Sequence, residues 1–160
     1  MNSKKFEIEV LEYTFTELNS VSQHLIEVAK ENTKKSYAPY SNYSVGAAVL
    51  LENGEIISGS NQENAAYPSG LCAERTAIFY ANAMYPDVAP KILAIAAFYN
   101  GNFVDEPISP CGSCRQVLLE TETRYKKDMQ ILLYGENRIY LISSVKKLLP
   151  LAFNEQNLKK

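Results

Sequence analysis

The spacing of apolar residues changes several times along the chain, and each change predicts an element. Val21, Leu25, Val28 and Ala29 recur at helical intervals, with Ser20 and Gln23 at capping-box spacing, so a first helix is expected from about Val21 to the mid-thirties, with a stop near Pro39. The stretch VGAAVLLENGEIISG holds two β-prone runs around Asn53-Gly54, a dipeptide favoured in two-residue type I′ turns, and predicts a hairpin. A polar loop, SNQENAAYPSG, leads to LCAERTAIFY, a second helix with Ala77, Ile78, Ala81 and Met84 as its apolar stripe. KILAIAAFY is too continuously apolar for a one-sided strand and is expected at the centre of a sheet, buried on both faces. SPCGSCRQVLLE begins a third helix, with Pro110 near its first turn, where a missing N–H does least harm. MQILLYG and RIYLIS follow as strands and SVKKLLPLAF as a short helix. The order predicts an α/β fold, a mixed central sheet with helices on both faces in three α/β/α layers.

Ahead of the first helix, Phe6, Ile8 and Val10, with Tyr13 and Phe15, are spaced as in an added strand or edge segment. Residues 1–20 are therefore expected to form an extension packed on a single domain spanning 21–160. The chain's 160 residues, 46% hydrophobic, suffice for one core, and no repeat or Pro/Gly/Ser linker divides them. A net charge of -2 with dispersed Lys and Arg argues against a nucleic-acid partner. The longest apolar run, Ile92 to Tyr99, falls short of the roughly 20 residues that cross a bilayer, and the N-terminus lacks the apolar block of a signal peptide. No membrane partner and a cytoplasmic location are expected. Three cysteines cannot all pair within one chain, and reducing surroundings favour metal or thiol chemistry over a disulfide framework.

Cys111 and Cys114 stand three apart at one helix start, and Cys72 stands at another. Helix N-termini favour thiolates, so two such ends, if they converge, hold three sulfurs around one ion. Three sulfurs without a fourth protein ligand is the pattern of a catalytic zinc with an open position. The bland reading of Cys-x-x-Cys is a redox pair, which leaves Cys72 and Glu74 unexplained. Glu74, two residues after Cys72, reads either as a proton carrier beside the metal or as a first-turn carboxylate favoured by the helix dipole. Arg75 reads either as a surface cation or as a donor that offsets the -1 charge of three thiolates on Zn²⁺. His24, the one histidine, lies far from both cysteine motifs and reads as an ordinary helix residue.

CAERTA and SPCGSCRQVL, preceded by YAPYSNYSVGAA and GSNQENAAYP, resemble the small zinc-dependent, three-cysteine cytidine deaminases, and the matching segments run from about Tyr37 to Phe153. The resemblance implies the cytidine deaminase-like fold and one Zn²⁺ per subunit on Cys72, Cys111 and Cys114, with water at the fourth position. It implies hydrolytic deamination of cytidine and deoxycytidine to uridine and deoxyuridine with release of ammonia, for pyrimidine salvage, by attack at C4 with Glu74 as proton shuttle. It further implies that Asn61 and Glu63 bind ribose hydroxyls, that the Ala73 backbone meets the base and that Arg75 tunes the thiolates. Tyr43 stands where the family usually has phenylalanine against the pyrimidine, keeping the ring and adding a hydroxyl that needs a partner. Phe153 in LLPLAF matches the residue lent to a neighbouring subunit's pocket, so a homotetramer with shared sites is expected. Without the family, NQEN reads as a polar loop.

Two other readings remain. A relative acting on another aminated pyrimidine, such as blasticidin S, is disfavoured by the intact NQENAAYP, and a structural zinc module needs a fourth protein ligand, for which His24 is the one remaining Cys or His.

Overall fold

The computed structural model describes residues 1–158. In chain order the elements are β1 (Leu11–Tyr13), α1 (Ser20–Asn32), β2 (Ser44–Leu51), β3 (Ile56–Ser60), α2 (Ala73–Met84), β4 (Pro90–Tyr99), β5 (Asn102–Phe103), α3 (Gly112–Tyr125), β6 (Gln130–Tyr134) and β7 (Ile139–Ile142), joined by loops and short 3₁₀ turns. Among the described residues the strands form one mixed sheet in the order β1-β7-β6-β4-β2-β3, with β5 paired to β4. The apolar run of β4 lies inside this sheet, antiparallel to β2 and parallel to β6. Its residues from Ile92 to Ala97 are buried, as a strand covered on both faces requires.

Alternation along the strands divides the core into two. Ala47, Val49, Leu93, Ile95, Ile131 and Leu133 face Ala73, Ala77, Ile78 and Ala81 of α2 and Leu118 of α3. Ala48, Leu50, Ala94, Ala96 and Leu132 face Leu25, Ile26 and Ala29 of α1 on the other side. Three layers follow from the two-residue period of the strands. Two glycines let the layers close: a Cβ on Gly46 would overlap the Ala29 carbonyl of α1, and one on Gly59 would lie 2.6 Å from the Ala77 nitrogen of α2. Because β3 and β4 are each antiparallel to β2, they run the same way; α2 follows β3, α3 follows β4 after the short return strand β5, and the two helices begin at the same end of the sheet.

Several local expectations are corrected. The first helix is capped by Asn19, whose side chain accepts from the Ser22 N–H at 2.9 Å, while Gln23 turns away to donate to the Phe15 carbonyl. Asn53-Gly54 does sit in the β2–β3 hairpin, but only Gly54 has positive φ (90°), and its N–H closes a turn onto the Leu51 carbonyl; the longer loop removes the need for positive φ at Asn53. The two-residue turn with both φ positive is Asn100-Gly101, at 51° and 86°, joining β4 to β5. Met84 is 54% exposed and leaves the apolar stripe of α2. SVKKLLPLAF makes only a 3₁₀ turn, Val145–Lys147, since Pro150 cannot continue a helix and Leu151 adopts a left-handed φ of 58°. In the N-terminal segment the strand is confined to β1, which pairs antiparallel with β7 at the sheet edge, whereas Phe6, Ile8 and Val10 are exposed.

One buried carboxyl group ties these layers together. Glu122, 2% exposed on α3, accepts from the Met129 N–H at 2.8 Å, the Val145 N–H at 3.0 Å and the Ser144 hydroxyl at 2.8 Å. It fixes the entry to β6 and the exit from β7 against the helix that is capped by Cys111 and carries Cys114. Glu122→Ala leaves three buried donors unpaired at about 1–3 kcal/mol each. A net loss of about 3–5 kcal/mol, measured by urea unfolding, is expected, a large share of a typical domain's stability.

Candidate functional site

Cys72 is the N-cap of α2 and Cys111 the N-cap of α3, and Cys114 is the third residue of α3. The common starting edge of the two helices brings the three sulfurs within 4.8 Å of one another, with Cys72 Sγ and Cys111 Sγ at 3.7 Å. Zn–S bonds of about 2.3 Å in tetrahedral geometry set paired sulfurs about 3.8 Å apart, so the spacing fits one zinc ion. Cys114 is fully buried, Cys72 half-buried and Cys111 exposed, which leaves an approach from one side. Among the described residues the cluster has only these three members. His24 lies on α1 across the sheet, beside Val21 and Leu50, and is no fourth ligand.

The thiols are poised by contact. A hydrogen bond with Cys114, then one from Arg75, draws Cys72 well below the ordinary thiol range, to about 5, and the reciprocal bond with Cys72 pushes Cys114 up. One readily formed thiolate thus sits beside a retained proton, and ligation by all three sulfurs would release protons. Arg75 Nη2 lies 3.8 Å from Cys72 Sγ and 3.4 Å from the Gly70 carbonyl. The guanidinium therefore sits against the cluster rather than in open solvent. Glu74 is 5% exposed, and burial, with the nearby Cys72 charge, raises its carboxyl above the usual range.

A cavity of about 460 Å³ opens onto Cys72 and Arg75, and its wall includes Asn61, Glu63, Ser41, Tyr40 and Tyr67. That volume suits a small organic ligand. The wall is built by residues 61–63 running between two partners: the Gln62 N–H donates to the Leu71 carbonyl and the Glu63 N–H to the Tyr37 carbonyl, both at 2.8 Å. Asn61 Oδ1 accepts from the Ser36 hydroxyl at 2.6 Å and the Val45 N–H at 2.8 Å, and its Nδ2 donates to the Tyr43 carbonyl at 2.9 Å. Glu63 accepts from the Ser41 hydroxyl and from the Tyr40 and Ser41 N–H groups.

Of the residues singled out in the sequence, Asn61, Glu63, Cys72 and Arg75 share this cavity. Ala73 is fully buried in the first turn of α2 and, like Glu74, is not on its wall. The Tyr43 ring packs on Tyr99, centroids 5.4 Å apart, and desolvation raises its hydroxyl pKa. Phe153 is 59% exposed and does not line the cavity of its own chain; its carbonyl accepts from Gln116. Tyr40, Ser41 and Tyr67 carry no individual signal in the sequence, because only the loop contacts bring them to the cavity.

Residues 19–128 match the family model of the cytidine and deoxycytidylate deaminase zinc-binding region. A cytidine deaminase from Sporosarcina psychrophila is 40% identical over 137 residues, 85% of this chain and 93% of that protein. A probable cytidine deaminase from Dictyostelium discoideum is 34% identical over 134 residues, 83% of this chain and 84% of that protein. The crystal structure of cytidine deaminase from Burkholderia pseudomallei superposes with a TM-score of 0.70 at 37% identity, covering 85% of this chain and all of that one. With three converging sulfurs at the matched helix starts, the chain belongs to the cytidine deaminase family and is a zinc-dependent cytidine deaminase, a hydrolase.

Proposed function

We propose that this enzyme converts cytidine and deoxycytidine to uridine and deoxyuridine with release of ammonia, in pyrimidine salvage, and that Glu74 carries the protons. The observation that carries the reading is a buried carboxyl two residues from Cys72, next to three sulfurs that fit zinc. Zinc, when bound by Cys72, Cys111 and Cys114, supplies the Lewis acidity that activates water for attack at C4. Glu74 accepts a proton from that water and delivers it to N3, then moves the second proton to the exocyclic nitrogen. That nitrogen leaves as ammonia, the C4–N bond breaks, and Glu74 ends as it began. A carboxyl held above the usual carboxylate range by burial gives up and takes back a proton more evenly, which suits both halves of this exchange. The Ala73 N–H, in the first turn of α2 where such groups lack helical partners, is a donor for the base. Arg75 offsets charge on the sulfurs.

Asn61 and Glu63 hold the sugar. A carboxylate offers about four acceptor positions, and Glu63 has committed three of them to Tyr40 and Ser41. Asn61 has both acceptor positions filled and one N–H free. One donor and one acceptor complement a single sugar hydroxyl, which suits ribosides and deoxyribosides alike. Tyr43 takes the aromatic position against the base. The assembly is a homotetramer in which the exposed Phe153 closes a neighbouring site.

The test is ammonia release from cytidine, deoxycytidine and blasticidin S, with light scattering on the same preparation. Turnover of both nucleosides, with blasticidin S inert and four chains per particle, is expected. Turnover of blasticidin S alone would overturn the substrate assignment.

A further inference from the structure

Ser41 stands on the exposed loop between α1 and β2, 22 positions before Glu63, yet its hydroxyl ties Glu63 of the cavity wall to the Tyr43 backbone. It donates to Glu63 Oε1 and accepts from the Tyr43 N–H at 3.0 Å, while its own N–H and that of Tyr40 hold Glu63 Oε2 at 3.3 and 2.9 Å. Asn42, between the two bonded loop residues, adopts a left-handed φ of 55°, which turns the chain so that both neighbours reach inward. The Ser41 bond is also the main reason the Glu63 carboxyl stays below the usual carboxylate range.

We propose that Ser41 is a positioning residue for nucleoside selection: it locks one Glu63 oxygen so that a single acceptor direction remains, and that direction reads one sugar hydroxyl. This rests on the reading of Glu63 as the sugar-binding carboxylate. Without the hydroxyl, Glu63 Oε2 is still held by two N–H groups but Oε1 loses its one donor among the described residues. The carboxylate then gains freedom at the atom that meets the sugar, and the Tyr43 N–H loses its acceptor. Zinc and Glu74 are untouched by this change, so it acts on substrate binding and not on proton transfer.

The experiment compares zinc-loaded wild type, Ser41→Ala, Ser41→Thr and Glu63→Ala on cytidine and its 2′-deoxy and 3′-deoxy analogues. For the hydroxyl that Glu63 reads, wild type prefers the nucleoside bearing it, and Glu63→Ala abolishes the preference. Ser41→Ala is expected to raise KM for cytidine about 10-fold, the effect of losing one bond to a charged group, with kcat within about 2-fold. It leaves the analogue lacking that hydroxyl unaffected, and Ser41→Thr restores the wild-type KM. Equal losses on cytidine and on that analogue, or an unchanged KM, would overturn the role of Ser41. Retention of the full preference by Glu63→Ala would instead overturn the sugar-binding reading, so the two failures are distinguishable.

Discussion

Glu74→Gln is expected to keep one zinc per chain and an unchanged melting temperature while cytidine deamination falls by about 10⁴-fold, the upper range for loss of a general acid–base group. The glutamine amide matches the carboxyl in shape and fits the same buried position, so packing in the first turn of α2 is preserved. What it lacks is the ability to take a proton from water and return it to N3 and to the leaving nitrogen. Ammonia release, metal content and thermal unfolding of the two proteins separate the possibilities. Near-normal turnover would remove Glu74 from the mechanism, and loss of zinc would make it a ligand.

Cys114→Ser is expected to abolish stoichiometric zinc binding and reduce ammonia release to background. Cys114 is the fully buried member of the trio, one turn into α3, and no other Cys or His among the described residues joins the cluster to replace it. Its loss leaves two sulfurs on different helices, too few to hold an ion whose binding in three-sulfur sites depends on thiolate donors. The ion also links the starts of α2 and α3, so the variant should melt at the same temperature as chelator-treated wild type. Full zinc occupancy in this variant, by elemental analysis, would show that the metal sits elsewhere.

The parts of this molecule legible in its sequence are those governed by short-range spacing. The apolar run of β4 announced a central strand because burial on both faces needs no knowledge of the neighbours. Cys111 and Cys114 announced a site because three positions on a helix start put both sulfurs on one side. The rest depended on competition or on contacts across the chain. Asn19, not Ser20, stands at the helix cap: its side chain accepts from the Ser22 N–H, and Ser20 is already the first helical residue. Of two Asn-Gly pairs, Asn100-Gly101 took the tight turn, since the pairing of Tyr99 with Asn102 leaves just two residues between the strands. Glu122 looks like an ordinary surface carboxylate in LLETETR, and only the folded chain brings Ser144 and Val145 to it. Ser41 escaped for the same reason: its partner is 22 positions away, and a serine in a polar loop carries no periodic signal.

The most direct test of a zinc enzyme built on Cys72, Cys111 and Cys114 is titration of the metal-free protein with Zn²⁺ while ammonia release from cytidine is followed. Activity should rise linearly and stop at one zinc per chain, with proton release accompanying each addition as the thiols ionise. Full activity before any zinc is added, or a rise that continues well beyond one equivalent, would contradict it.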